Sequence, residues 1–231
     1  MSRSVLPFVS LALGLAASVV AGAPTIGKLQ WNGPVIPGKP NMTLVGNDVA
    51  DIYDQVLRIN PNFVPNPTPA DLNETINTNI HAPADPPPYE CGNDLSLATA
   101  SQGDVFTLVG DINRIGGTWN LGQNSYNRLL CQGTSGIYWD NYNSHLVTAS
   151  AADVYARAIA VVGGCCLESP NTVSGLSSFP NNHPTAAYSD ILVAEANCND
   201  PAYTLPFNYA YPGPNAYEGQ APEVDADRSR R

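Results

Sequence analysis

"SAADVYARAIAVVGGCC", residues 150 to 166, carries the start, the stripe, the stop and the staples from which the fold is read. Ser150 and Asp153 open it as a capping box. Val154, Tyr155, Ala158, Ile159 and Val162 recur at helical spacing as one apolar stripe, and Gly163 with Gly164 supplies the stop. Past that stop the chain is expected to extend, so that Cys165 and Cys166 point to opposite faces and serve different neighbours. A bridge between the two would need strained geometry, so each seeks a distant partner.

An earlier stretch, "SQGDVFTLVGDINRIGG" (101–117), follows the same plan. Ser101 and Asp104 start it, Val105, Leu108, Val109, Ile112 and Ile115 share one face, and Gly116 with Gly117 ends it. Ordinary helix start and stop signals account for both stretches without invoking a duplication. Between and after them lie strand candidates: "NRLLCQGTSGIYWDN", with a bulge or bend at Gly133 to Gly136, then "TVSGLSSF", then "SDILVAEANC". This order predicts an α+β fold over residues 91–198, a small disulfide-stapled α/β sandwich whose antiparallel or mixed sheet carries two helices on one face.

All five cysteines fall between Cys91 and Cys198. The N-terminus explains why they are read as bridges. Arg3, an apolar run from Val5 to Val20 and the small residues Ala21, Gly22 and Ala23 have the layout of a secretory signal peptide over 1–23. An exported chain with five cysteines is expected to form two bridges from Cys91, Cys131, Cys165, Cys166 and Cys198, with one thiol buried or joining two chains in a disulfide-linked dimer.

Residues 24–90 are rich in Pro and Asn and read as an extended arm, interrupted by one short amphipathic helix near 47–59 with Val49, Ile52, Val56 and Ile59 on a face. That arm holds two N-glycosylation sequons, at Asn41 and Asn73. The tail, 199–231, has lost all periodicity and reads as disordered.

The formal net charge is −10, and within 91–198 Arg114, Arg128 and Arg157 are outnumbered by Asp94, Asp104, Asp111, Asp140, Asp153, Glu168, Asp190 and Glu195. Such a surface does not neutralise phosphates, which argues against nucleic acid and anionic membranes as partners. No second apolar run of spanning length follows the signal, so no membrane insertion is expected.

Catalytic motifs fail one by one. "GTSGI" lacks the spacing of a nucleophile elbow, no zinc-protease motif is present, and His81, His145 and His183 are isolated. No catalytic residue, metal ligand or cofactor is assigned. The strongest seed for sugar chemistry is Asp140 beside Trp139 and Tyr142, with Asp190 or Glu195 as second acid, although an Asp-Asn pair closing a strand is ordinary turn chemistry. The same segment, Tyr138, Trp139, Asp140, Asn141 and Tyr142, is the candidate binding surface for an extracellular protein or glycan.

The order Cys91-Gly92, helix, Trp119, "RLLC", "SGIYWDN", helix, a glycine-preceded cysteine pair and "ILVAEANC" resembles the secreted killer toxins of smut fungi and related small fungal effectors. The resemblance covers about 91–198. It implies a compact α/β sandwich, with Cys131 bridged to Cys198 and Cys91 to Cys165 or Cys166, in an extracellular effector that acts by binding. The family archetype acts on calcium channels through a basic residue just before the cysteine corresponding to Cys131. Here Leu129 and Leu130 precede it, and Arg128 is the nearby cation. The carbohydrate-active and cell-wall structural readings stand as alternatives.

Overall fold

The computed structural model describes residues 25–65, 87–95, 97–165, 171–180, 183–187, 189–202, 204 and 206. The signal-peptide reading of 1–23, the sequon at Asn73, Cys166 and the tail beyond 206 lie outside the described residues.

Both long helices begin where their caps predict. α3 (Gln102–Ile115) starts at Ser101, whose Oγ accepts the Asp104 N–H, and ends at Gly116 with φ of 61°, a conformation glycine adopts without cost. α4 (Ala151–Gly164) has the full capping box: Ser150 Oγ accepts the Asp153 N–H at 3.0 Å and the Asp153 carboxylate accepts the Ser150 N–H at 3.3 Å. The glycine stop is corrected here. α4 runs through Gly163 and Gly164 and caps at Cys165. A Cβ on Gly164 would collide with the Tyr89 ring, so that glycine admits a close neighbour instead of ending the helix.

The main sheet has the order β1 (Thr25–Ile26), β7 (Ser125–Gln132), β8 (Ser135–Asn141), β12 (Ser189–Glu195), β11 (Gly175–Ser178), β4 (Glu90–Cys91). Every pairing is antiparallel except β1 on β7. β7 and β8 turn at Gly133 and Thr134, while the bulge lies at Arg128/Leu130. α3 and α4 pack together on one face, where Ile137, Trp139, Ile191 and Val193 share a core with Val105, Leu108, Val109, Val154, Ala158 and Val161. The fold is α+β. Each helix leads to a hairpin, β7–β8 after α3 and β11–β12 after α4, and the second strands of the two hairpins pair at the centre.

The boundary of the domain is also corrected. Most of the stretch read as an arm belongs to the fold. β2 (Leu29–Gly33) and β3 (Met42–Gly46) form a second sheet with β6 (Thr118–Leu121) and β9 (Val147–Ser150), in the order β3-β2-β6-β9. Leu29, Trp31, Leu44, Trp119, Leu121, Val147 and Ala149 enter the same core as the helices. α1 (Val49–Ile59) starts at Asp48, whose side chain accepts the Asp51 N–H at 2.8 Å, and buries Val49, Ile52 and Val56 against that core. Two shorter pieces complete the element list: α2 (Gly92–Leu95) and the ladder of β5 (Ala100–Ser101) with β10 (Thr172–Val173).

Two intramolecular disulfides staple the ends. Cys91 on β4 joins Cys165 at the end of α4, and Cys131 on β7 joins Cys198 just past β12, with Cα separations of 5.2 and 5.5 Å. These are pairings the resemblance implied, with Cys165 and not Cys166 taking Cys91. Among the described residues no helix is long and apolar enough to cross a membrane.

Candidate functional site

The segment read as a binding surface is interior. Tyr138, Trp139, Asp140, Asn141 and Tyr142 are between 0% and 1% exposed. Four of them lie on β8, which has β7 on one side and β12 on the other, so successive side chains enter the two covered faces of the sheet. Trp139 points into the helix-side core, its Nε1–H donating to Ser189 Oγ at 3.3 Å and its ring 6.3 Å from that of Phe179. Arg157 lies over the Phe179 ring, 4.2 Å from its centroid, and donates to the Ser178 carbonyl. Burial lowers the Arg157 pKa to about 10. Asn141 is a structural clamp. Its Nδ2 donates to the Gly122 and His145 carbonyls at 2.6 and 2.9 Å, and its Oδ1 accepts from Asn143 at 2.9 and 2.8 Å. The segment was read as a strand whose end presents a binding surface; it is a strand, and backbone partners for its polar side chains allow its burial.

The two acids weighed for sugar chemistry are neighbours in the sheet. Asp140 and Asp190 sit directly opposite on β8 and β12, on the face away from the helices. Tyr142 Oη donates to Asp190 Oδ2 at 2.8 Å. Burial pushes the Asp190 carboxyl above the ordinary carboxylate range, and hydrogen bonds from Ser178 and Tyr142 pull it part of the way back. At 0% and 6% exposure, neither acid can meet a sugar in this packed state. Glu195 is exposed at the far end of β12.

What covers that end is a feature the sequence reading missed. Residues 197–202, assigned mostly to a disordered tail, are held against Arg128 of β7. The Arg128 N–H donates to the Ala202 carbonyl at 2.8 Å, and its guanidinium donates to the carbonyls of Asn197 and Asp200 at 2.8 and 2.6 Å. Arg128 is 5% exposed, so its charge is spent on holding this segment and is not presented outward.

Between the segment and the β7–β8 hairpin opens a shallow cleft of about 730 Å³, beside the Cys131–Cys198 bridge. Arg128 and Tyr138 line its floor; exposed Thr134, Glu195, Asn197 and Asn199 line its rim. Burial raises the Tyr138 pKa to about 12 against the opposing pull of Arg128, which keeps the phenol neutral. The cleft therefore offers hydroxyls, amides and carboxylates for hydrogen bonding. A run of turn-type residues directly after Cys198, "NDP", was the available signal for it.

The histidines do structural work or lie elsewhere. His183 Nδ1 accepts the N–H groups of Thr185 and Ala186 at 3.3 and 2.9 Å, with its ring 5.1 Å from Phe179. The His145 carbonyl serves Asn141, and His81 lies outside the described residues. Among the described residues no group of three or more His, Cys, Asp or Glu is placed to hold a metal ion.

With this geometry in place, comparison with known proteins returns nothing: no family model, no curated protein and no solved structure matches the chain.

Proposed function

We propose that the protein is an exported effector or toxin-like protein that acts by binding an extracellular protein or glycan. The observation that carries this reading is the cleft between the β7–β8 hairpin and residues 197–202 with Thr204, a disulfide beside it and Arg128 beneath it. Preorganised walls reduce the ordering cost that a binding loop would otherwise face. Two bridges also suit an oxidising compartment, in keeping with the signal-peptide layout at the N-terminus.

The test is saturable binding of the labelled, secreted protein to intact fungal and plant cells and to their isolated walls. Thr134→Trp and Asn199→Trp, which fill the cleft from its rim, weaken binding about tenfold or more, equivalent to ~1.4 kcal/mol, while Leu146→Ser outside it does not. Equal binding by all three variants removes the cleft. Turnover of a glycan by the wild type that is lost in Asp140→Asn replaces the binding reading with the carbohydrate-active one.

A further inference from the structure

The outward face of the second sheet carries two rows without a charged side chain. Register places two rows of side chains across its four strands: Val45, Gln30, Asn120 and Thr148 in one, Thr43, Asn32, Thr118 and Ser150 in the other. None of the eight is charged, and all are exposed or half-buried. Within the rows Asn32 Nδ2 donates to Thr43 Oγ1 at 2.9 Å, and Thr148 Oγ1 donates to Asn120 Oδ1 at 2.6 Å. The result is a surface of amides and hydroxyls, on which Val45, 44% exposed, is the apolar exception.

Asn41 stands at the corner of this face, one residue before edge strand β3. It is exposed, it belongs to the sequon Asn41-Met42-Thr43, and the sequon threonine is itself an exposed member of the second row. Met42 turns inward to the core, so the alternation of an extended chain sends Asn41 and Thr43 outward together. Asn41 Nδ2 lies 3.3 Å from Asn32 Oδ1, on the neighbouring strand.

We propose that Asn41 carries an N-linked oligosaccharide whose inner sugars lie back across the uncharged face of the β3-β2-β6-β9 sheet. The inference rests on the export reading above, because the modification belongs to the secretory pathway. In the transfer, Asn41 Nδ2 bonds to the anomeric carbon of a lipid-pyrophosphate-linked oligosaccharide. The anomeric C–O bond breaks, its electron pair leaves on the lipid pyrophosphate, and Nδ2 gives up one of its two protons. The remaining N–H is free to keep the bond to Asn32 Oδ1, which fixes the plane of the amide at the corner of the face. Sugar hydroxyls then meet amides and hydroxyls, the Asp153 carboxylate beside Ser150 lying at the β9 end, away from Asn41. A hydrophilic group at this corner also shields edge strand β3 from pairing with another sheet edge.

The experiment uses the full chain secreted from a eukaryotic host. Peptide mapping before and after enzymatic release of N-glycans is expected to find sugar on Asn41, lost in Asn41→Gln and in Thr43→Val and kept in Thr43→Ser. Hydroxyl-radical footprinting then compares two valines of the same chemistry, Val45 on the face and Val64, 74% exposed, outside it. Val45 is oxidised several-fold more slowly in the glycosylated protein than in Asn41→Gln, while Val64 is unchanged. A secreted protein with bare Asn41 overturns the inference and leaves the binding function standing; failure to enter the secretory pathway overturns both. Sugar on Asn41 with no protection of Val45 overturns the placement on the sheet.

Discussion

Trp31 lies directly opposite Trp119 across the β2–β6 pair, with ring centroids 6.4 Å apart, and its Nε1–H donates to the Gly116 carbonyl at 2.8 Å. One residue of the N-terminal stretch thus closes the core and caps the end of α3. Trp31→Ala opens a cavity where a 0%-exposed indole sat and costs about 3–5 kcal/mol, read as a fall in the urea midpoint. A chain trimmed of residues 1–46 is expected to lose its cooperative transition altogether.

Trp139 was a candidate contact residue from sequence; its position between Ser189 and Phe179 makes it a core residue. Trp139→Ala therefore lowers stability by about 3–5 kcal/mol. The checks are the near-UV circular dichroism and the thermal midpoint, both of which would stay near wild type if Trp139 served only to touch a partner.

Asp190 makes stability depend on pH in a definite sense. Burial, with Glu90 adding to it, holds the folded carboxyl above its ordinary 3.8, against Ser178, Tyr142 and Arg157. The folded chain keeps that proton at pH values where the unfolded chain has lost it. The contribution is complete below the unfolded value and is lost as pH rises through the folded one. Urea midpoints measured from about pH 4 upward should fall more steeply for wild type than for Asp190→Asn, which keeps an acceptor for Tyr142 but has no proton to lose.

The disulfides span 74 and 67 residues. By the chain-entropy account, replacing either pair with serine costs about 4 kcal/mol. Non-reducing peptide mapping should return Cys91–Cys165 and Cys131–Cys198, with alkylation before digestion confined to Cys166. A Cys91–Cys166 peptide would contradict the pairing.

Arg128 holds residues 197–202 through two guanidinium bonds and its backbone N–H. Lysine lacks the planar fork, so Arg128→Lys costs about 2–3 kcal/mol. Limited proteolysis should then cut between 199 and 206 faster than in wild type, well before the sheet unfolds.

Local signals were legible because they act over one helical turn. The apolar stripes and caps of α1, α3 and α4 are completed by residues three or four positions away, and the sequence placed all three. Three strand runs of the cysteine-bearing region, 127–141, 172–179 and 189–198, were legible for a similar reason, β-branched and aromatic residues bounded by turn residues, whereas the four-residue strands β6 and β9 were not read. Cysteine count and the N-terminal layout set the expectation of bridges, which the staples meet. Other features needed the tertiary structure. "LQWNG" and "MTLVG" are five-residue strands in a Pro- and Asn-rich stretch, and Trp31 becomes a core residue only when β6, some ninety positions on, pairs beside it. Gly164 reads as a stop until Tyr89 is seen against it. "YWDNY" looks like a surface because its polarity is local, whereas its burial depends on which strands flank it and on what covers the far face. Periodicity and capping are properties of neighbours in sequence; burial is a property of neighbours in space, and in this chain residues far apart in sequence supply it.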